Sequence, residues 1–165
     1  VKTFIFPGSF DPFSLGHLDI AKRASTLCDH LLVAVMHNSA KKYTFSIEER
    51  VFMVKECLKD IPNVEVIPYE SLLINLYHER QATAVVRGLR SESDFRNEVE
   101  MAAANTLLFA DYQVVLLPCR ADLAFTSSTI IKEVAYYGGD ISRMVSPSIQ
   151  NYINRKFGNQ NEDKD

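Results

Sequence analysis

Short continuous apolar runs alternate with amphipathic segments along most of the chain, and this alternation leaves few folds open. Residues 30–37 (HLLVAVMH) are apolar without a polar alternation at their centre, as a strand buried on both faces requires. Residues 2–6 form a shorter strand ended by Pro7-Gly8. Between the two, Leu18, Ile20, Ala21, Ala24, Leu27 and Cys28 recur at helical spacing, with Asp19, Lys22, Arg23 and Ser25 mostly off that stripe. Strand, helix, strand is a βαβ unit. The unit then repeats: Ser46-Ile47-Glu48-Glu49 is a capping box opening a helix that Val51, Val54 and Leu58 continue. Strands are expected at 64–67, 83–86 and 112–117, and helices at 71–80, 93–109, 127–137 and 146–157, with Gly138-Gly139 stopping the helix before them. The core face of the helix at 93–109 is expected to carry Phe95, Val99, Ala102, Thr106 and Phe109.

Five strands joined through helices by short loops predict an α/β fold: a doubly wound, five-stranded parallel sheet with helices on both faces. No domain boundary interrupts residues 1–157, so one domain is expected, followed by a polar tail, 158–165, that frays. A chain of 165 residues has core enough without metal or disulfide staples, since domains near this size bury roughly 68–70% of their unfolded surface. Cys28, Cys57 and Cys119 are odd in number and form no Cys-x-x-Cys pair, which suits a reducing compartment. The first apolar run is too short for a secretory signal, and none approaches the ~18 residues of a membrane span, so a cytoplasmic protein with no membrane partner is expected. Of the formal charge of −3, the tail Glu162-Asp163-Lys164-Asp165 contributes −2. The nearly neutral remainder argues against a nucleic-acid binder, which would show a basic excess.

In such sheets ligands bind beyond the carboxyl ends of the strands, and there the unusual residues lie. After the first strand, Pro7-Gly8-Ser9-Phe10-Asp11-Pro12-Phe13-Ser14-Leu15-Gly16-His17 runs directly into a helix. Gly16 permits close backbone approach, and His17 falls in the first helical turn, where free N–H groups favour an anion. Neither the P-loop pattern nor the G-x-G-x-x-G pattern is present. Lys41-Lys42 follows the second strand. Arg87-Gly88-Leu89-Arg90 follows the fourth, where two guanidiniums flanking a glycine suit adjacent phosphates. Phe125-Thr126-Ser127-Ser128-Thr129 opens a helix with more hydroxyls than a cap needs. Alternatively, each is an ordinary surface feature: a capping histidine, a solvated lysine pair, arginines tied to Glu92, Asp94 or Glu98, and a simple N-cap. Gathered on one rim of a neutral body, they read as a polyphosphate site.

The first loop, with its Phe-Asp-Pro and Gly-His at a helix start, resembles the signature of the nucleotidylyltransferase superfamily, shared with class I aminoacyl-tRNA synthetases. With Lys41-Lys42, Phe45-Ser46-Ile47-Glu48-Glu49-Arg50, Arg87-Gly88-Leu89-Arg90, Asp94-Phe95, Asn105, Ser127-Ser128 and Lys132-Glu133-Val134, the chain up to about Phe157 resembles the phosphopantetheine adenylyltransferase family. It departs in having Ser9 where Thr is common, Thr126-Ser127-Ser128-Thr129 for Ile-Ser-Ser-Ser, Ser14 at the first motif position, and Tyr136 in place of a charged residue. The resemblance implies a Rossmann-like fold and transfer of the adenylyl group of ATP to 4′-phosphopantetheine, giving dephospho-coenzyme A and pyrophosphate. ATP would contact Ser9, Phe10, His17, Gly88, Leu89, Arg90, Glu98, Leu123, Ala124, Phe125, Thr126, Ser127, Ser128 and Thr129. Phosphopantetheine would contact Ser9, Lys41, Leu73 and Arg87. His17, Lys41, Arg90 and Ser9 would carry catalysis, with Mg²⁺ arriving on the ATP phosphates and His30, His37 and His78 structural. The resemblance also implies a homohexamer and coenzyme A as a feedback ligand. Sibling transferases with nicotinamide mononucleotide or glycerol phosphate as acceptor are one alternative, and a nucleotide-binding module without turnover is another.

Overall fold

A computed structural model describes residues 1–162, with side chains up to Gly158. Five strands, β1 (Thr3–Gly8), β2 (His30–Met36), β3 (Val64–Tyr69), β4 (Ala84–Leu89) and β5 (Val114–Pro118), form one parallel sheet in the order β3-β2-β1-β4-β5. The helices are α1 (Leu15–Ser25), α2 (Ile47–Leu58), α3 (Leu73–Glu79), α4 (Glu92–Leu108), α5 (Ser128–Tyr136) and α6 (Pro147–Glu162), with a short 3₁₀ turn at Ala121–Leu123. This is the doubly wound α/β architecture that the alternation predicts.

Strand side chains alternate between faces, so each central strand feeds two cores. Phe4 and Phe6 of β1, with Leu31, Val33 and Val35 of β2, pack under α1, α2, α5 and α6 through Ile20, Ala24, Met53, Val54, Ile131 and Ile149. Ile5, Leu32, Ala34 and Val85 face the other way, onto Leu76 and Tyr77 of α3 and onto Tyr112. Burial on both faces is why these runs carry no polar alternation.

The sheet opens where the site lies. Strands β1 and β2 stay in register from Thr3–His30 to Gly8–Val35, and β4 and β5 from Val85–Val114 to Leu89–Pro118. Strands β1 and β4 share only Phe4–Ala84 and Ile5–Val85, then part. The chain leaves β1 toward β2 on one side and returns from β3 to β4 on the other, so the parting falls at the switch point of the winding.

The strand ends run later than the residue pattern suggests. Pro7 and Gly8 belong to β1, and Arg87, Gly88 and Leu89 to β4, so the fourth loop begins at Arg90. Proline ordinarily marks a strand's end, but a strand whose neighbour has parted tolerates it. Helix α6 runs past Phe157 to Glu162, and residues 163–165 of the expected polar tail lie outside the described residues.

The expectation for α4 holds for Ala102, which lines a cavity, and for Phe109, which packs against Tyr77, and it is corrected for Phe95, Val99 and Thr106, which are exposed. Phe95 and Val99 are 51% and 47% exposed, and no α4 residue is fully buried. The helix turns Glu98, Met101, Ala102, Asn105 and Leu108, spaced at i, i+3, i+4, i+7 and i+10, toward an open cavity rather than pressing onto the sheet. Its inward face is set by that cavity and carries Glu98 and Asn105 among apolar side chains.

Candidate active site

The loop leaving β1 is held by its own side chains. Phe10 adopts φ +50, a left-handed conformation costing a residue with a Cβ about 1–2 kcal/mol, and its ring packs on Phe6, Phe13 and His17 at centroid distances of 5.4, 5.2 and 5.0 Å. Gly8 makes that position possible, because a Cβ there would lie 2.7 Å from the Phe10 ring. Asp11, buried, accepts hydrogen bonds from the backbone N–H groups of Thr44 and Phe45 at 3.0 and 2.9 Å and lies 3.4 Å from Lys132 Nζ.

Ser14 then caps α1 in a reciprocal box. Its Oγ accepts from the His17 N–H at 3.1 Å, and its own N–H donates to His17 Nδ1 at 3.0 Å. An imidazole does here what Glu or Gln usually does at the third helical position. Because Nδ1 accepts, the ring proton of the neutral form is on Nε2. Burial, and secondarily the Arg90 guanidinium, pull the His17 pKa down to about 4, so at neutral pH it is an uncharged donor.

Two cavities meet at the parting of β1 and β4. The first, about 180 Å³, is lined by Gly8, Phe10, Gly16, His17, Gly88, Arg90, Leu123 and Thr126, among others. The second, about 560 Å³, is lined by Ser9, Lys41, Leu73, Glu98 and the inward face of α4. Pro7, Gly8 and Arg87 line both.

Most residues expected at a site are thus gathered here, with informative exceptions. Glu98 walls the second cavity rather than the first, and its carboxylate accepts from Arg87 Nε and pairs with Nη2, each at 3.0 Å. Leu89 lines neither cavity, and its carbonyl accepts the Cys119 N–H. The hydroxyls at the start of α5 are largely engaged in structure. Thr126 Oγ1 accepts from the Gly16 N–H at 3.3 Å and donates to the Leu123 carbonyl at 2.7 Å, Ser127 caps α5, and Ser128 donates to the Pro12 carbonyl at 2.8 Å. Ala124 and Ser127–Thr129 line neither cavity, and Phe125 is 77% exposed. Lys42 is exposed and outside both walls, while Arg90 is held near Asp94, whose carboxylate also accepts the Arg90 N–H.

Two residues without an assigned role prove central to the loops. Asp11 is a carboxylate among Phe10, Pro12 and Phe13, and Arg50 stands on the buried stripe of α2 with Met53, Val54 and Leu58. A charge inside an apolar pattern was the available signal in both.

The fold places both cavities at the switch point of a doubly wound sheet, the ordinary ligand position of this fold class, and the family matches make the class that of the nucleotidyltransferases. The cytidylyltransferase-like family model matches residues 5–134. A phosphopantetheine adenylyltransferase of Thermodesulfovibrio yellowstonii is 42% identical over 157 residues, covering 94% of this chain and 98% of its own, and one from Alkaliphilus oremlandii is 43% identical over 157 residues, covering 95% and 100%. A solved Vibrio parahaemolyticus structure assigned as a nicotinate-nucleotide adenylyltransferase shares the fold at a TM-score of 0.64 and 19% identity, over 97% of this chain and 94% of the other. The chain belongs to the cytidylyltransferase-like family and, within it, to the phosphopantetheine adenylyltransferases.

Proposed function

We propose that this chain transfers the adenylyl group of ATP to 4′-phosphopantetheine, giving dephospho-coenzyme A and pyrophosphate. The observation that carries the reading is the pair of cavities sharing Gly8 and Arg87, which suits a nucleotide on the His17 side and a phosphorylated acceptor on the Lys41 side. An oxygen of the acceptor phosphate attacks the α-phosphorus of ATP in line. The new P–O bond forms as the α–β bridge breaks, and pyrophosphate leaves with its electron pair. No covalent enzyme intermediate is needed.

Because the nucleophile is already an anion, the side chains' task is to align it and to stabilise charge spreading over the phosphates. His17 Nε2–H donates to the α-phosphate. A neutral donor with its proton fixed by the Ser14 N–H needs no reorganisation as that charge develops. Arg90, with the wall formed by Leu123 and Thr126, holds the triphosphate side, with Phe10 and Gly88 against the nucleotide. Ser9, Lys41 and Leu73 hold the acceptor, whose phosphate competes with Glu98 for Arg87. The described residues bring no three His, Cys, Asp or Glu side chains together as a metal cage, and Mg²⁺ enters in this reading with the triphosphate as part of the substrate. Coenzyme A, which contains the acceptor, is proposed as a feedback ligand of the second cavity.

No helix among the described residues is long and apolar enough to cross a membrane, and the proposed location is the cytoplasm. The proposed assembly is a homohexamer. The test of the reaction is pyrophosphate release from MgATP with and without 4′-phosphopantetheine, the product being identified by mass. Acceptor-dependent release with dephospho-coenzyme A formed is the expected result. Release only with nicotinamide mononucleotide or glycerol phosphate would replace the acceptor, and binding of ATP without release would end the transferase reading.

A further inference from the structure

Arg50 is fully buried, and its charge lies near the amino end of α2, where the helix dipole is unfavourable to a cation. A buried guanidinium at that place needs a compensating arrangement, and it has one. Nη1 donates to the Ser9 carbonyl at 2.8 Å and to the Met36 carbonyl at 2.9 Å, Nε donates to the Phe45 carbonyl at 3.2 Å, and Nη2 lies 2.7 Å from His37 Nδ1. The Tyr43 ring covers the guanidinium at 4.0 Å. These partners come from the loop after β1, the end of β2, and the far end of the loop that carries Lys41. Ser9, Met36 and Lys41 all line the second cavity.

We propose that Arg50 is a positioning residue for the acceptor: its planar fork fixes the separation between Ser9 and the Lys41 loop, and so where the acceptor phosphate sits. This rests on the adenylyl-transfer reading above. The arrangement is specific to a fork. A lysine ammonium is a point charge without the separate, fixed donors that reach carbonyls of three segments and His37 here. Asp11 complements it by taking the Thr44 and Phe45 N–H groups, so the loop's end is gripped through its carbonyl by Arg50 and through its N–H groups by Asp11. Among the described residues the hydrogen bonds of this guanidinium go to Ser9, Met36, His37 and Phe45, and none goes to Gly88 or Arg90.

The test measures acceptor-dependent pyrophosphate release, ATP affinity by direct titration and thermal melting for the wild type, Arg50→Lys, His37→Leu and His37→Gln. In folded Arg50→Lys the acceptor KM is expected to rise at least tenfold, about 1.4 kcal/mol, with ATP affinity within twofold. An unchanged acceptor KM, or acceptor and ATP constants weakening in step, overturns the proposal. Should Arg50→Lys fail to fold, the His37 pair decides. His37→Leu removes the acceptor of Nη2 and should raise the KM at least threefold, and His37→Gln, which supplies an oxygen, should return it to within twofold of the wild type. An unchanged KM in His37→Leu, or no recovery in His37→Gln, overturns the proposal. A wild type without acceptor-dependent release overturns the transfer reading itself and this inference with it, an outcome distinct from any change confined to the variants.

Discussion

His17 combines three demands at one residue: a helix cap, a fixed tautomer and an uncharged state. Ser14 meets the first two, and burial the third. Replacing His17 by alanine removes the Nε2–H donor proposed for the α-phosphate. Loss of a single such donor typically costs about 10²–10³ in kcat, so His17→Ala should fall by that order with ATP affinity nearly unchanged, as steady-state kinetics beside an ATP titration will show. The same residue makes stability depend on pH. The unfolded chain binds a proton at His17 below the ordinary value of 6.5, whereas the native protein does so only near 4. Between those values the unfolded state holds more protons, so the contribution is complete above pH 6.5 and is lost as pH falls toward 4. Urea unfolding at pH 7 and pH 5 should show a smaller drop for His17→Asn, which keeps an acceptor for the Ser14 N–H, than for the wild type.

At the scale of elements, strand ends and helix starts form the site, and glycine decides how closely they approach. A Cβ on Gly8 would lie 2.7 and 2.8 Å from the Phe10 ring, which is 2% exposed and enclosed by Phe6, Phe13 and His17. Because the ring is held by those three side chains, Gly8→Ala should cost about 1–3 kcal/mol, read as a lower urea midpoint at unchanged slope. This contact was not legible in the chain, where Pro7-Gly8 reads as a strand stop. What was legible follows from periodicity: continuous apolar runs for strands buried on both faces, and the capping box at Ser46. Strand ends were misread because β4 extends beside β5 after parting from β1, a property of sheet geometry with no local sequence signal. The Gly-His helix start and the arginines flanking Gly88 could be placed on the rim from the chain alone. The engagement of Thr126 and Ser128 with Gly16 and Pro12 joins positions more than a hundred residues apart, which spacing cannot reveal.

The whole molecule is asymmetric across its sheet. One face is closed by four helices, while the other has the short α3 and an α4 that stands over a cavity. That explains why the apolar periodicity of α4 misled. Its residues serve two surfaces: Met101, Ala102 and Leu108 wall the acceptor cavity, and Phe95, Val99 and Leu107, at 51%, 47% and 90% exposure, face outward. Large apolar side chains exposed on a helix are costly in a monomer, and covering them favours association. If the proposed hexamer uses this stripe, the wild type should sediment at six times the 18.7 kDa of one chain. The double variant Phe95→Lys with Val99→Lys should then sediment at a smaller multiple, because six copies would bring like charges into a closed interface. Neither residue lines either of the two cavities of the site, so each dissociated chain should keep its ATP affinity. A double variant that still sediments with the wild type would assign assembly to another face and leave this stripe as exposed surface.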